Sequence, residues 1–129
     1  MSDCTLYSYW RSSSSWRVRL ALHFKQISFA TKTVNLLKNE QLSAEYLKLN
    51  PQGLVPSLAI DGLLLSESTA VMEYLEETRP EHRILPTTPA ARAQTRRLAQ
   101  MVVADIQPVQ NLKGEERQKN TKKCLSDGC

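Results

Sequence analysis

Four consecutive serines, Ser12 to Ser15, stand between Arg11 and Arg17. An apolar pattern follows at once: Trp16, Val18, Leu20, Ala21, Leu22 and Phe24. The spacings 16/20/24 and 18/21/22 are helical, and serine is a favoured N-cap, so the serines are predicted to occupy a strand-to-helix turn. At that place a hydroxyl can donate to an anion while the helix dipole adds positive potential. The plainer alternative is that the serines only cap the helix and fill the turn. Glu67 and Ser68 are predicted to open a later helix, with Ser66 as its cap, where free N–H groups again suit an anion. Gln107 and Asn111, four apart, share one face of a third helix. Cys4, Cys124 and Cys129 are odd in number, contain no CxxC and have no ligand spacing with His23 or His82, so neither a disulfide framework nor a metal site is expected.

The elements that must position these residues follow from period and punctuation. Residues 4–9 are rich in β-formers and read as a first strand; Ile27, Phe29, Thr31 and Thr33 alternate and give a second, ending near Val34. Residues 40–49 read as a short helix stopped by Asn50-Pro51. Residues 55–65 carry Asp61-Gly62 between two apolar runs, the signature of a hairpin with a type I′ turn. The helix after Ser66 carries Ala70, Val71, Tyr74 and Leu75 and ends near Thr78, before Pro80. A proline-rich linker covers 80–89. From Ala90 a long amphipathic helix begins, with Leu98, Met101, Val102, Ile106 and Val109 as its apolar surface and Pro108 as a point of kinking. Trp16 and Phe24 are expected in the core, and both histidines on the surface.

Composition sets the outer bounds. The 129 residues are 41% hydrophobic and 23% charged, an ordinary globular balance. No apolar run approaches the ~18 residues of a membrane helix, and Met1 to Thr5 lack the basic and apolar regions of a signal peptide, so a cytoplasmic address is expected. The net charge of +4 is not arranged for nucleic acid: half of it comes from residues 113–129, and no Lys/Arg stripe interleaves with aromatics.

The order β-α-β-α-β-β-α, a linker, then a helix resembles a thioredoxin-like domain joined to the start of an all-α domain, as in glutathione transferases. The likeness is closest to the zeta class, whose activity is maleylacetoacetate isomerisation. It rests on Tyr9-Trp10-Arg11-Ser12-Ser13-Ser14-Ser15-Trp16-Arg17-Val18-Arg19, on Leu49-Asn50-Pro51-Gln52-Gly53, on Val55-Pro56-Ser57-Leu58, on Glu73 to Pro80, and on Asp105 to Leu112. The resemblance implies residues 1–79 as a glutathione-binding domain, 80–89 as linker, and 90–129 as a shortened helical domain. It implies a glutathione cofactor and a family homodimer. Ser12 or Ser13 then activates the thiol, Ser12 favoured by analogy, with Ser14 and Arg17 beside them. Val55 pairs with the cysteinyl amide through a backbone set by a cis Pro56. Ser68 and its amide hold the γ-glutamyl carboxylate. Glu67, where the family commonly has Gln, accepts from the γ-glutamyl amine. Gln41 matches a residue near the glycyl end, and Gln107 and Asn111 match polar residues aimed at the cleft.

The energetics are consistent with this chemistry. A free thiol has a pKa of ~8.5, and lowering it two units takes ~2.7 kcal/mol. A hydroxyl donating to a charged acceptor supplies ~1.5–3 kcal/mol and a helix N-terminus ~0.3–1, so no protein cysteine is required. By resemblance, the thiolate adds to the activated double bond of a small anionic diketo acid, the bond rotates, and the thiolate leaves. Arg11 and Arg17 would attract the acid. Two departures from the family stand out. Ser14 replaces the usual cysteine, which argues against a glutaredoxin-like reductase. From about Lys113 the chain leaves the family pattern, so the expected form is C-terminally truncated with an aberrant tail. The alternative function is therefore a catalytically silent glutathione-binding or dimerising module.

Overall fold

The computed structural model describes residues 4–110 and divides the chain into two compact units, Met1–Ile84 and Leu85–Cys129. In the first, β1 (Thr5–Ser8) leads through the serine turn into α1 (Ser13–Phe24), and β2 (Ala30–Thr33) returns parallel to β1. Two 3-10 turns, Leu36–Lys38 and Glu40–Leu42, precede α2 (Ala44–Leu49). Then β3 (Ser57–Ile60) pairs antiparallel with β1, β4 (Leu63–Ser66) pairs antiparallel with β3, and α3 (Ser68–Thr78) packs against α1. The sheet order is β2-β1-β3-β4. This is the thioredoxin-like α/β arrangement expected from the sequence.

One core fixes the unit. Leu6 and Leu58 from the sheet meet Val18 and Leu22 of α1 and Val71 and Leu75 of α3, all fully buried. Each such side chain contributes about 1.5–3 kcal/mol by leaving water. Asp61 and Gly62 hold φ of 54° and 75°, the pair of positive values that the predicted type I′ turn requires. At Gly53, with φ 61°, an added Cβ would sit 3.1 Å from Leu42 and 3.2 Å from the Gln41 carbonyl, so this loop needs glycine.

Four expectations are corrected. Trp16 and Phe24 are exposed, not core, because α1 buries its other row, Ser15, Val18, Ala21 and Leu22. The segment 40–49 is not one helix: Ser43 is extended, and its hydroxyl accepts from the Tyr46 N–H at 3.1 Å, so α2 restarts there. Ser66 does not cap α3; it pairs with Ser57 in the hairpin, and Glu67 takes the cap position with no side-chain bond. The second strand begins only at Ala30, while Ile27 and Phe29 pack against the core.

A buried ion pair closes the unit. The Lys25 ammonium lies 3.0 Å from the Glu76 carboxylate and donates to the carbonyls of Arg79 at 2.7 Å and His82 at 2.9 Å. Glu76 Oε2 also accepts from the Ile84 N–H at 2.8 Å. The chain leaving α3 is thereby held to the end of α1.

In the second unit, α4 (Pro89–Gln100) starts behind Thr88, whose hydroxyl accepts from the Ala91 N–H, with Pro89 at the first turn. The helix then widens to a π-helical stretch, Met101–Ile106, before α5 (Gln107–Gln110). Pro108 has no N–H to complete an α-helical ladder, and the widening falls just ahead of it. Leu98, Met101, Val102, Ile106 and Val109 are exposed.

Candidate functional site

The β1–α1 turn is built from backbone closure and a cap. The Ser12 N–H donates to the Tyr9 carbonyl at 3.0 Å, and Ser12 Oγ accepts from the Ser15 N–H at 3.1 Å. Ser12 is thus the N-cap of α1, and accepting that amide leaves its own O–H to donate outward. Ser13 is exposed at the first helical position, and Ser15 is fully buried with a hydroxyl that finds no hydrogen-bond partner among the described residues. Ser14 Oγ accepts from Arg17 Nη2 at 3.0 Å.

Arg17 links this turn to the start of α3. Burial lowers the pKa of its guanidinium, and the Glu67 carboxylate opposes that shift by charge attraction. Glu67 holds φ 65° and ψ 105°, a backbone state rare outside glycine and one that collects at functional sites. The next residue, Ser68, is buried as the first residue of α3, where amides are unpaired by geometry. A cation, a carboxylate and two helix N-termini therefore serve one side of the unit.

The third component is the loop before β3. The Val55–Pro56 peptide is cis, as the resemblance implies. Pro56 is buried, and Val55 lies two residues before Ser57, the last paired position of β3 toward both β1 and β4. Its backbone therefore stands beyond both ladders. The loop is pinned from beneath. Tyr46 donates to the Leu54 carbonyl at 2.7 Å and meets Ser57 Oγ at 3.0 Å, and Asn50 Nδ2 reaches the same two groups at 3.0 and 3.1 Å. Burial raises the Tyr46 pKa, so it stays a neutral donor. Gln41 Oε1, in the 3-10 turn, is buried with no hydrogen-bond partner among the described residues. An orphaned acceptor, two amide-rich helix starts and a stretch of backbone beyond the sheet ladders suit a small zwitterionic peptide with both N–H and carboxylate groups.

Not every expected residue joins this constellation. Gln107 belongs to the second unit, and Asn111 lies outside the described residues, as do Cys124 and Cys129. Arg11 is exposed, with its guanidinium 5.8 Å from the centre of the Trp10 ring. His23 and His82 are on the surface, and no cluster of metal-ligating side chains occurs among the described residues. Sequence reasoning missed the Tyr46–Asn50–Ser57 network and Arg19, which binds the turn from α1. As a helix stop and as part of the Leu49 to Gly53 string, Asn50 gives no sign in the sequence that its side chain holds the Leu54 carbonyl and Ser57.

A four-stranded sheet with a serine-capped α1, a cis proline before β3 and α3 starting on a buried serine defines a thioredoxin-like domain of the transferase type. The chain belongs to the glutathione S-transferase family, whose N-terminal domain matches residues 11–78. It is 52% identical over 110 residues to maleylacetoacetate isomerase of Dictyostelium discoideum, covering 84% of this chain and 50% of that protein. It is 50% identical over 109 residues to the Rattus norvegicus enzyme of the same name, covering 83% and 50%. Among solved structures, a maleyl pyruvate isomerase described as a bacterial zeta-class transferase superposes with a TM-score of 0.87 at 38% identity, covering 92% of this chain and 56% of that one. Maleylacetoacetate isomerase from Methylobacterium extorquens AM1, solved with bound malonate and GSH, gives 0.85 at 38% over the same shares. The chain spans about half the length of the curated relatives it matches.

Proposed function

We propose that this chain is the glutathione-binding part of a zeta-class transferase that converts maleylacetoacetate to fumarylacetoacetate in phenylalanine and tyrosine breakdown. The observation that carries this is the Ser12 cap: a hydroxyl fixed at a helix N-terminus by the Ser15 amide, with its proton left to donate. Glutathione supplies a thiol nucleophile that adds to a conjugated double bond and leaves again unchanged. The chain's own residues do the rest. Ser12 donates to the sulfur, with Ser13 beside it at the same helix start. Ser14 and Arg17 brace the turn. The Val55 backbone, ahead of Pro56, pairs with the cysteinyl amide. Ser68 and its amide receive the γ-glutamyl carboxylate, and Glu67 accepts from the γ-glutamyl amine. Gln41 Oε1 receives the amide near the glycyl end. Arg11 attracts the anionic diketo acid. Gln107 and Asn111 match polar residues of the family's site, and their part in this reading rests on that resemblance alone. The working form is a cytoplasmic homodimer. Among the described residues no helix is long and apolar enough to cross a membrane.

Calorimetry with glutathione, with isomerase turnover assayed on the same samples, tests the reading. Ser12→Ala should lower turnover about 10- to 100-fold, the loss of one hydroxyl donor to a developing anion. Binding without turnover would make the chain a silent module, and absence of binding would sink the proposal.

A further inference from the structure

We propose that Arg19 is the positioning residue that sets the serine turn for thiol activation, an inference that rests on the function proposed above. Arg19 sits in α1, seven residues beyond Ser12, and its side chain runs back toward the helix N-terminus, the direction helical side chains favour. There it meets three consecutive residues. Nη1 donates to Ser8 Oγ at 2.7 Å and lies 3.4 Å from the Tyr9 carbonyl, while Nη2 donates to the Trp10 carbonyl at 3.2 Å. Those residues are the end of β1 and the first half of the turn that the Ser12 N–H closes on Tyr9. The guanidinium thus spans strand, turn and helix, and fixes the chain immediately upstream of the cap.

The contact is suited to arginine alone. A planar fork with two donor nitrogens can hold acceptors on neighbouring peptides at once, whereas an ammonium is a point charge on a flexible stem. Displacing the turn by even part of an ångström would turn the Ser12 O–H away from the sulfur, and misplacement on that scale is costly in catalysis. Arg19 touches neither the Ser12 hydroxyl nor any ligand group in this reading; it acts through the backbone.

The test measures the pKa of glutathione's thiol when bound to the 129-residue chain, by the ultraviolet absorbance of its thiolate against pH, beside glutathione affinity and the thermal midpoint. Arg19→Lys and Arg19→Gln should each raise the bound thiol's pKa by about one unit, from about 6.5 to about 7.5, so that the thiolate fraction at about pH 7 falls about threefold. Ser8→Ala, which removes the 2.7 Å acceptor and leaves the two carbonyl contacts, should move the pKa the same way by less. An Arg19→Lys chain with the unaltered chain's thiol pKa would assign the effect to charge and overturn the proposal. So would variants that melt earlier but leave the bound thiol unchanged, which is the outcome of a merely structural role. If the unaltered chain binds no glutathione, or binds it without lowering the thiol pKa, the proposed function fails first and takes this inference with it.

Discussion

At the scale of single residues, the four serines separate into four tasks. Ser12 caps, Ser13 faces solvent, Ser14 accepts from Arg17, and Ser15 is buried. Sequence showed the run and its place at a helix start, but could not rank its members, because rank depends on which hydroxyl meets an amide. Ser15 is the informative contrast. A buried hydroxyl without a partner is a cost of about 1–3 kcal/mol, so Ser15→Ala should leave the urea midpoint unchanged or raise it. A loss above about 1 kcal/mol would mean that Ser15 has a partner after all, such as a bound water. Arg19 was illegible for a different reason. Its acceptors are mostly main-chain carbonyls, which every residue carries, so no side-chain pattern marks it.

At the scale of elements, two connections are open to measurement. Lys25→Met alone leaves Glu76 buried without its cation and should cost about 3–5 kcal/mol, whereas the Lys25→Met, Glu76→Leu double variant should regain most of that in urea denaturation. The second connection is the hairpin turn. Arg79 donates to both oxygens of Asp61 at 2.6 Å, and Tyr74 donates to one of them at 2.6 Å. The Arg79 and Tyr74 hydrogen bonds hold the Asp61 pKa at about 2, against an ordinary 3.8. A folded pKa below the unfolded one means that the unfolded chain binds more protons between those values. The contribution is therefore present above pH ~4 and lost as pH falls toward ~2. In Asp61→Asn the stability–pH curve should be flatter across that window; an unchanged slope would show that other carboxylates set it. The hairpin and its turn were plain in the sequence because Asp-Gly has few alternatives. The 40–49 segment departs from its expected single helix because the helical spacing conceals a Ser43 that prefers to cap.

At the scale of the whole molecule, topology was legible and face assignment was not. Both rows of α1 repeat at helical spacing, and period alone cannot say which one meets the sheet. The buried row includes Ser15 and Ala21, small enough for close packing, while the aromatic row stays outside. The same ambiguity has a practical side in the second unit. Leu98, Met101, Val102, Ile106 and Val109 form an exposed apolar row along α4 and its continuation. Faces of this kind limit solubility, so Leu98→Lys with Ile106→Lys should raise the concentration at which the chain stays monodisperse in sedimentation, with no fall in the unfolding midpoint. An unchanged association profile would mean that the row is not what the chain sticks by.

The chain has two tryptophans, Trp10 at 74% and Trp16 at 59% exposure, and they bracket the serine run on either side. Indole emission from this protein therefore originates wholly at the turn, with none from the core to mask it. Titrating glutathione while following that emission gives an unlabelled optical readout of the turn itself, and the single variants Trp10→Phe and Trp16→Phe would divide the signal between its two sides.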